Sequence, residues 1–279
     1  MKYRTIQEIR PAQPTQDGDG VAIARVAGMQ HAGMDPVLMV DELRAQQRSD
    51  LGGGFPPHPH RGMQTLTYMK HGGFIHEDSQ GNRGEITSGG AQLMSAGRGI
   101  IHSEMPVKDL DQMHGFQLWF NLPAAEKLGE PNYRDIPVTD IPAVQGEGVS
   151  LRAIAGQWSL AGSTVVGPLK ELVAQADLAD LGLSAGQTVD LPVSSGDNLL
   201  VYLYEGELAG EHGAVQSQQL LITGSGDVLS LTAGARDAHM LVFRGRPIRE
   251  AVAHYGPFVM NTMAEIEQAV ADYQAGRLG

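Results

Sequence analysis

The sequence predicts an all-β chain of two β units with one short helix at its C-terminal end. Three observations carry this prediction. Strand-length apolar runs are broken every few residues by Gly, Pro, Asn and Asp, and the 36 glycines among 279 residues follow no triplet repeat. That pattern excludes collagen and favours a turn-rich β protein. The same rhythm recurs on the far side of a connector at Asn132 to Gly148, which carries prolines and acids. Helical periodicity is clear in one place, after Thr262.

The elements follow in order. Gln64 to Met69, rich in Thr, Leu and Tyr, ends near Gly72-Gly73. Gly73 to His76 runs into Asp78-Ser79-Gln80-Gly81-Asn82, a hairpin-like turn cluster. Gly84 to Thr87 precedes Ser88-Gly89-Gly90, and Ala91 to Met94 precedes Gly97-Arg98-Gly99. His114 to Leu122 is a strong strand, with His114, Phe116, Leu118 and Phe120 on one face and Gln117, Trp119 and Asn121 on the other. Strands at this spacing suggest a sandwich or a barrel. Gly186 to Leu191, Asn198 to Tyr204, Leu220 to Thr223, Val228 to Leu231 and His239 to Phe243 repeat the pattern, which suggests a duplicated barrel. The expected division is residues 1–135, 136–243, and a tail at 244–279 that packs back on the barrels. In that tail Thr262 and Glu265 fit a capping box. Ile266, Val270 and Tyr273 then share a face with Ala269 beside them, and Gly276 ends the helix.

Composition narrows the function. Hydrophobic residues at 42% and charged residues at 19% are those of a folded chain, not a disordered one. The net charge is −12, with the excess acid in the second half and no long basic run. Direct binding to a nucleic-acid backbone is therefore excluded. With no cysteine, disulfides, thiolate metal sites and a Cys nucleophile are all ruled out. No apolar run approaches the roughly 18 residues of a membrane span. Met1 to Arg10 has no apolar signal-peptide core. A cytoplasmic protein without membrane contact is expected.

Two residue pairs carry chemistry. His58-Pro59-His60 follows a Gly- and Pro-rich run, and His102-Ser103-Glu104 follows Gly97-Arg98-Gly99. Residues i and i+2 of an extended chain point to the same side, and Pro59 pushes His58 into extended geometry. Pro59 cannot donate to a ladder, so it belongs at a strand edge or start. If the two strands face each other inside a barrel, three imidazoles and one carboxylate converge. Such a set suits Fe(II), Mn(II), Ni(II), Co(II), Cu(II) or Zn(II). Four ligands on an octahedral ion leave two positions open. One carboxylate against a divalent ion leaves the site near +1, which favours an anionic oxygen ligand. A single His-x-His proves little, because loop histidines near glycines are common. A lone His-x-Glu proves less, but the two pairs together, each after a Gly-rich turn, make a metal site the better reading.

Other residues read less sharply. His76-Glu77-Asp78 reads as a solvated hairpin tip or a pocket rim. At most one of His114 and Gln117 can point into the barrel as a partner of a ligand. His31 and His71 read as surface residues, and Met39, Met63, Met69, Met94 and Met113 as core filling. Phe55, Met63 and Phe116 are candidates to line an apolar mouth for a planar ligand.

At these residues the chain resembles the pirin family of the cupin superfamily. The resemblance runs through Gly54 to Gly62, Thr65 to Met69, Gly72 to Asp78, Ser95 to Pro106 and His114 to Leu122. It returns at His254-Tyr255-Gly256-Pro257-Phe258-Val259-Met260-Asn261-Thr262. It implies a bicupin of two stacked jelly-roll barrels, with a metal in the first. The family's ligands map onto His58, His60, His102 and Glu104. The Glu common in cupins four residues after the second His is Gln64 here, a change expected to alter a neighbour of the site, and Gly97 replaces a Pro common in the second cupin motif. The second barrel is expected to be metal-free. Gly186 to Gly206 contains no histidine, and His212 and His239 are unpaired in sequence.

The resemblance further implies a metal-dependent dioxygenase, with Fe(II) first among the candidate ions. It would act on flavonols such as quercetin or on a related enediol-like anion, with O2 at the metal. Glu104 would be base as well as ligand. Oxygen would add across the heterocyclic ring and release carbon monoxide. The alternative is a metal- or redox-sensing regulator that binds a transcriptional or metabolic protein partner.

Overall fold

The computed structural model describes residues 2–108, 111–210 and 213–279. The chain folds as two compact units, and both are built of antiparallel strands. The first comprises Gln13–His31, Asp35–Thr139 and Ile248–Gly279; the second comprises Met1–Ala12, Ala32–Met34 and Asp140–Pro247.

The first unit has a seven-stranded sheet. Its spatial order is Asn132–Ile136, Ala91–Ser95, Met63–His71, Met113–Asn121, Val37–Ala45, Val21–Ala27, Gln13–Asp17. A four-stranded sheet, ordered Phe55–His60, Ile100–Pro106, Gly73–Asp78, Arg83–Thr87, packs against it. The two sheets share a buried cluster in which Ile23, Leu43 and Met69 of one meet Phe74 and Ile86 of the other. The arrangement is the jelly roll that repeated short strands and Gly-rich turns favour.

The second unit has its own seven-stranded sheet, ordered Ile6–Pro11, Gln219–Thr223, Asn198–Glu205, Ala238–Gly245, Asp177–Leu183, Val149–Ala155, Ala143–Gly146. Thr188–Pro192 pairs with Val228–Thr232, and their Val189, Leu191, Leu229 and Leu231 join the interior. That interior is one largely aliphatic cluster that also buries Trp158.

Membership of the units differs from a cut at 135 and 243 at Met1–Ala12 and Ala32–Met34, which join the second unit. Ile6–Pro11 pairs with Gln219–Thr223, Ile9 opposite Leu221, and so belongs with the second unit. A strand laid there satisfies backbone groups that the edge would otherwise leave open. The chain from Ile248 onward returns to the first unit. Val259 N–H donates to Arg61 O, and Phe258 and Met260 bury with Ile266, Ala269 and Leu278. The helix spans Met263–Gln274 and carries the expected capping box: Thr262 Oγ1 accepts from Glu265 N–H, and Glu265 Oε2 accepts from Thr262 N–H. Tyr273 differs from expectation and stays 41% exposed, because Ile266 and Ala269 fill the contact. Among the described residues no helix is long and apolar enough to cross a membrane.

Candidate metal centre

His58, His60, His102 and Glu104 come from adjacent strands of the four-stranded sheet, not from strands that face each other. Phe55–His60 pairs with Ile100–Pro106, placing His58 opposite His102 and His60 opposite Ile100. The register slips between His102 and Glu104, so that Glu104 lies opposite Phe55. The turn after His60 needs Gly62, whose φ is +77° and whose absent Cβ would stand 2.1 Å from Val259 O.

The three imidazoles converge. Ring centroids are 4.4 Å apart for His58 and His102, 4.9 Å for His58 and His60, and 5.0 Å for His60 and His102. One ligating nitrogen from each lies within 4.8 Å of the others, so the triad could hold a metal ion. Each Nδ1 is already engaged. His58 Nδ1 is 2.8 Å from Pro56 O, His60 Nδ1 is 3.3 Å from Pro257 O, and His102 Nδ1 is 3.3 Å from His76 Nδ1. A carbonyl can only accept, so His58 and His60 carry Nδ1–H and present a bare Nε2. His102 Nε2 is buried without a hydrogen-bond partner. Burial holds all three rings below the usual imidazole pKa, His60 at about 3. Neutral rings with free lone pairs and an orphaned buried nitrogen fit a divalent ion without prior proton loss.

Glu104 sits beside the triad rather than within the 4.8 Å group. Its carboxylate accepts from Thr67 Oγ1 at 3.0 Å and from Gln117 Nε2 at 2.9 Å. Thr67 Oγ1 is also 2.5 Å from Gln117 Oε1. Burial raises the Glu104 pKa to about 7, with those two hydrogen bonds pulling the other way. Thr67 and Gln117 lie opposite each other on the facing sheet. Of His114 and Gln117, therefore, Gln117 is the one that points inward. His114 Nε2 is instead 2.9 Å from Glu42 Oε1.

The site opens into a cavity of about 860 Å³. His58, His60, Glu104, Gln117 and Trp119 line it, and Phe55, Met29 and Met39 supply apolar wall. Trp119 meets the His60 ring edge-on, with centroids 5.2 Å apart. The wall also carries Asp17, Asp19 and Asp41 against Arg25. Arg25 is bound through two nitrogens to Asp41, at 2.8 and 2.7 Å, and reaches Asp17 at 2.5 Å.

Several expectations change. His76 is no solvated tip: it is 1% exposed, stacks on Tyr133 at 4.3 Å and touches His102. The signal was available, because His76 and Asp78 also have the i, i+2 spacing. Gln64 is buried, but it pairs with Phe120 in the register whose next inward residues are Thr65 and Thr67, so its side chain takes the opposite face from the site. Phe116 stacks on Tyr68 on that same far face, and Met63 packs with Leu38, Met94 and Ile100; of the three residues expected at the mouth, only Phe55 is there. The five methionines are buried as expected, Met39 among them also lining the cavity. His71 is exposed and His31 half-buried. His239 stacks on Tyr204 in the second unit, away from other histidines among the described residues. His212 lies outside the described residues.

Comparison with known proteins agrees with this architecture. The pirin family model matches residues 20–120, and the pirin C-terminal cupin domain model matches residues 178–279. A Vibrio cholerae relative, provisionally named a quercetin 2,3-dioxygenase, is 46% identical over 99% of this chain and 98% of its own. The crystal structure of a quercetin 2,3-dioxygenase from Acinetobacter baumannii has a TM-score of 0.90 at 30% identity, covering 99% of both chains. A bacterial pirin from Escherichia coli in complex with nickel(II) shares the fold, with a TM-score of 0.66 at 20% identity over 86% of this chain and 99% of that one. Matched in both halves and aligned end to end with such relatives, the chain belongs to the pirin family of the cupin superfamily.

Proposed function

We propose that this protein is a metal-dependent dioxygenase of the quercetin 2,3-dioxygenase type, with His58, His60, His102 and Glu104 as its ligands. The observation that carries the proposal is the convergence of three neutral imidazoles, two of which, His58 and His60, line a cavity large enough for a three-ring polyphenol. The family relatives named for this activity support it. A divalent first-row ion bound there, Fe(II) first among the candidates, supplies a Lewis acid and a redox partner for O2.

The chain's own residues do the rest. Glu104, with its pKa near 7, is a better match for a phenolic proton than an ordinary carboxylate. Its ionised form accepts from Thr67 and Gln117. Its protonated form can donate to Thr67, whose hydroxyl then turns to Gln117 Oε1 at 2.5 Å. Trp119, Phe55 and Met39 give flat apolar walls that orient a ring and exclude water. The acidic wall refines the expected substrate. Asp17, Asp19 and Asp41 outnumber Arg25, so a neutral polyphenol that loses its proton at Glu104 fits better than a preformed anion. With a metal bound, the site would support addition of O2 across the heterocyclic ring with loss of one ring carbon as carbon monoxide.

The test is oxygen uptake and carbon monoxide release with quercetin, using protein stripped by chelator and reloaded with each candidate ion. Turnover with at least one ion, lost in His58→Ala and Glu104→Ala, is the expected result. A loaded protein that consumes no oxygen with any flavonol overturns the proposal.

A further inference from the structure

We propose that His76, oriented by Asp78, is a positioning residue that fixes the Nδ1–H tautomer of His102 and so sets the metal affinity of His102 Nε2. This rests on the reading that the triad holds a metal. His58 and His60 take their orientation from backbone carbonyls, those of Pro56 and Pro257. His102 alone takes it from another side chain, and that side chain is itself an imidazole.

An imidazole pair is ambiguous by itself. Across the 3.3 Å gap between the two Nδ1 atoms, one ring must donate and the other accept, and either could do so. Asp78 removes the ambiguity. Its Oδ2 is 3.2 Å from His76 Nε2, and an ionised carboxylate only accepts. His76 therefore carries its proton on Nε2 and offers a bare Nδ1. His102 must then donate from Nδ1, which leaves its lone pair on Nε2, the buried nitrogen without a partner. A hydrogen bond in the other direction would put a proton on the ligating atom.

The surroundings hold this direction. Asp78 accepts from the backbone N–H groups of Gln80 and Asn82 at 2.9 and 3.0 Å, and from Asn82 Nδ2 at 2.9 Å. These three donors keep the carboxylate in place as an acceptor. The Tyr133 ring lies on His76 at 4.3 Å and 26°, which blocks rotation out of line. The side chains of His76 and Asp78 are essentially sealed from water. Sheet register makes the chain of contacts possible, since Glu104 lies opposite His76 and His102 opposite Asp78. The turn at Asp78 to Asn82 is thereby coupled to the ligand.

The experiment uses three metal-free proteins: the wild type, His76→Phe and His76→Gln. Phe keeps the stack on Tyr133 but cannot accept; Gln offers an amide oxygen that can. Each is titrated with Ni(II) and Co(II) against a competing chelator, and its metal-free unfolding midpoint is recorded. The expected result is a 10–100-fold loss of affinity in His76→Phe, with most of it restored in His76→Gln and matching changes in the Co(II) visible spectrum. Nitrogen-15 NMR of the metal-free wild type decides independently of any variant's folding. His102 should be protonated at Nδ1 and bare at Nε2, and His76 the reverse. Wild-type affinity in His76→Phe, or a proton on His102 Nε2, overturns this inference and leaves the metal centre standing. A wild type that binds neither ion overturns the centre itself, and the inference with it.

Discussion

One row of side chains across each large sheet separates the two units. In the first, the inward row reads Arg25, Asp41, Gln117, Thr67, Gln92 and Asp135 on six neighbouring strands. In the second, a row reads Leu221, Val201, Val242, Ala179 and Ala153, all fully buried. Both rows run across a seven-stranded antiparallel sheet. Row content decides whether the interior is a core or a cavity. Aliphatic side chains fill space and contribute about 25 cal/mol per Å² removed from water. The polar row forgoes that contribution and must satisfy its own hydrogen bonds, which it does by gripping Glu104 from Thr67 and Gln117 and by joining Gln92 to Tyr133 and Asp135. The first unit is clamped elsewhere. Lys127 Nζ donates to Gly62 O, Asn121 Oδ1 and Val259 O, and Arg61 reaches Asp272 at 2.8 Å. One unit keeps a polar row beside its histidine cluster, and the other fills its interior with aliphatic packing.

The comparison can be broken at its extremes. His58→Ala or His102→Ala should lower metal affinity by more than the roughly 100-fold that losing an outer partner costs. His239→Ala, in the filled unit, should leave it unchanged. Metal analysis of purified variants reads both, and metal loss in His239→Ala would show that the second unit takes part.

Leu203→Ala, in the filled interior, should cost about 2–5 kcal/mol of stability. Metal affinity below the unfolding transition should be unaltered. Denaturant unfolding of the metal-free protein, alongside a Ni(II) titration, checks the separation.

A reciprocal swap sharpens it. Val201→Thr places a hydroxyl in the dry interior and should cost about 1–3 kcal/mol. Thr67→Val in the polar row should shift stability less, yet it removes a donor to Glu104 and so raises that pKa further above 7. Equal destabilisation by the two swaps would mean that the two interiors are not as different as the rows imply.

The last effect is graded with pH. Burial keeps His60 neutral down to about pH 3, so the imidazole does not hold the competing proton at ordinary pH. Glu104 does: with its pKa raised to about 7, metal binding must displace its proton below that pH. Affinity should therefore fall about tenfold per pH unit below 7. In Glu104→Gln the slope between pH 5 and 7 should flatten. In the metal-free protein the same shift has the opposite consequence. Between 4.5 and about 7 the folded state binds more protons than the unfolded one, so Glu104 makes stability fall as pH rises through that window. Unfolding midpoints at pH 5, 6 and 7 in chelator read that sign, which Glu104→Gln should remove.

The candidate ligand pairs were legible because strand geometry has a period of two, and His58-Pro59-His60 and His102-Ser103-Glu104 state it directly. The helix cap at Thr262 was equally legible, since a capping box is local. His76 was missed because its role depends on Gly73–Asp78 lying beside Ile100–Pro106, a pairing that the hairpin-tip composition after Asp78 obscured. Gln64 and Phe116 were misplaced for one reason: a one-residue difference in face moves a side chain from the cavity to the far side.

By itself, the sequence determined the local facts: strands, turns, the helix cap, the absence of thiols, and two pairs of candidate ligands at i, i+2 spacing. Tertiary structure alone decided which strands became neighbours. It gave Ile6–Pro11 to the second unit, set His58 against His102, turned Gln117 toward Glu104 and brought His76 against His102. The physical reason is that side-chain direction repeats within a strand, whereas register between strands is fixed by burial of a whole sheet face, to which residues far apart in the chain contribute together.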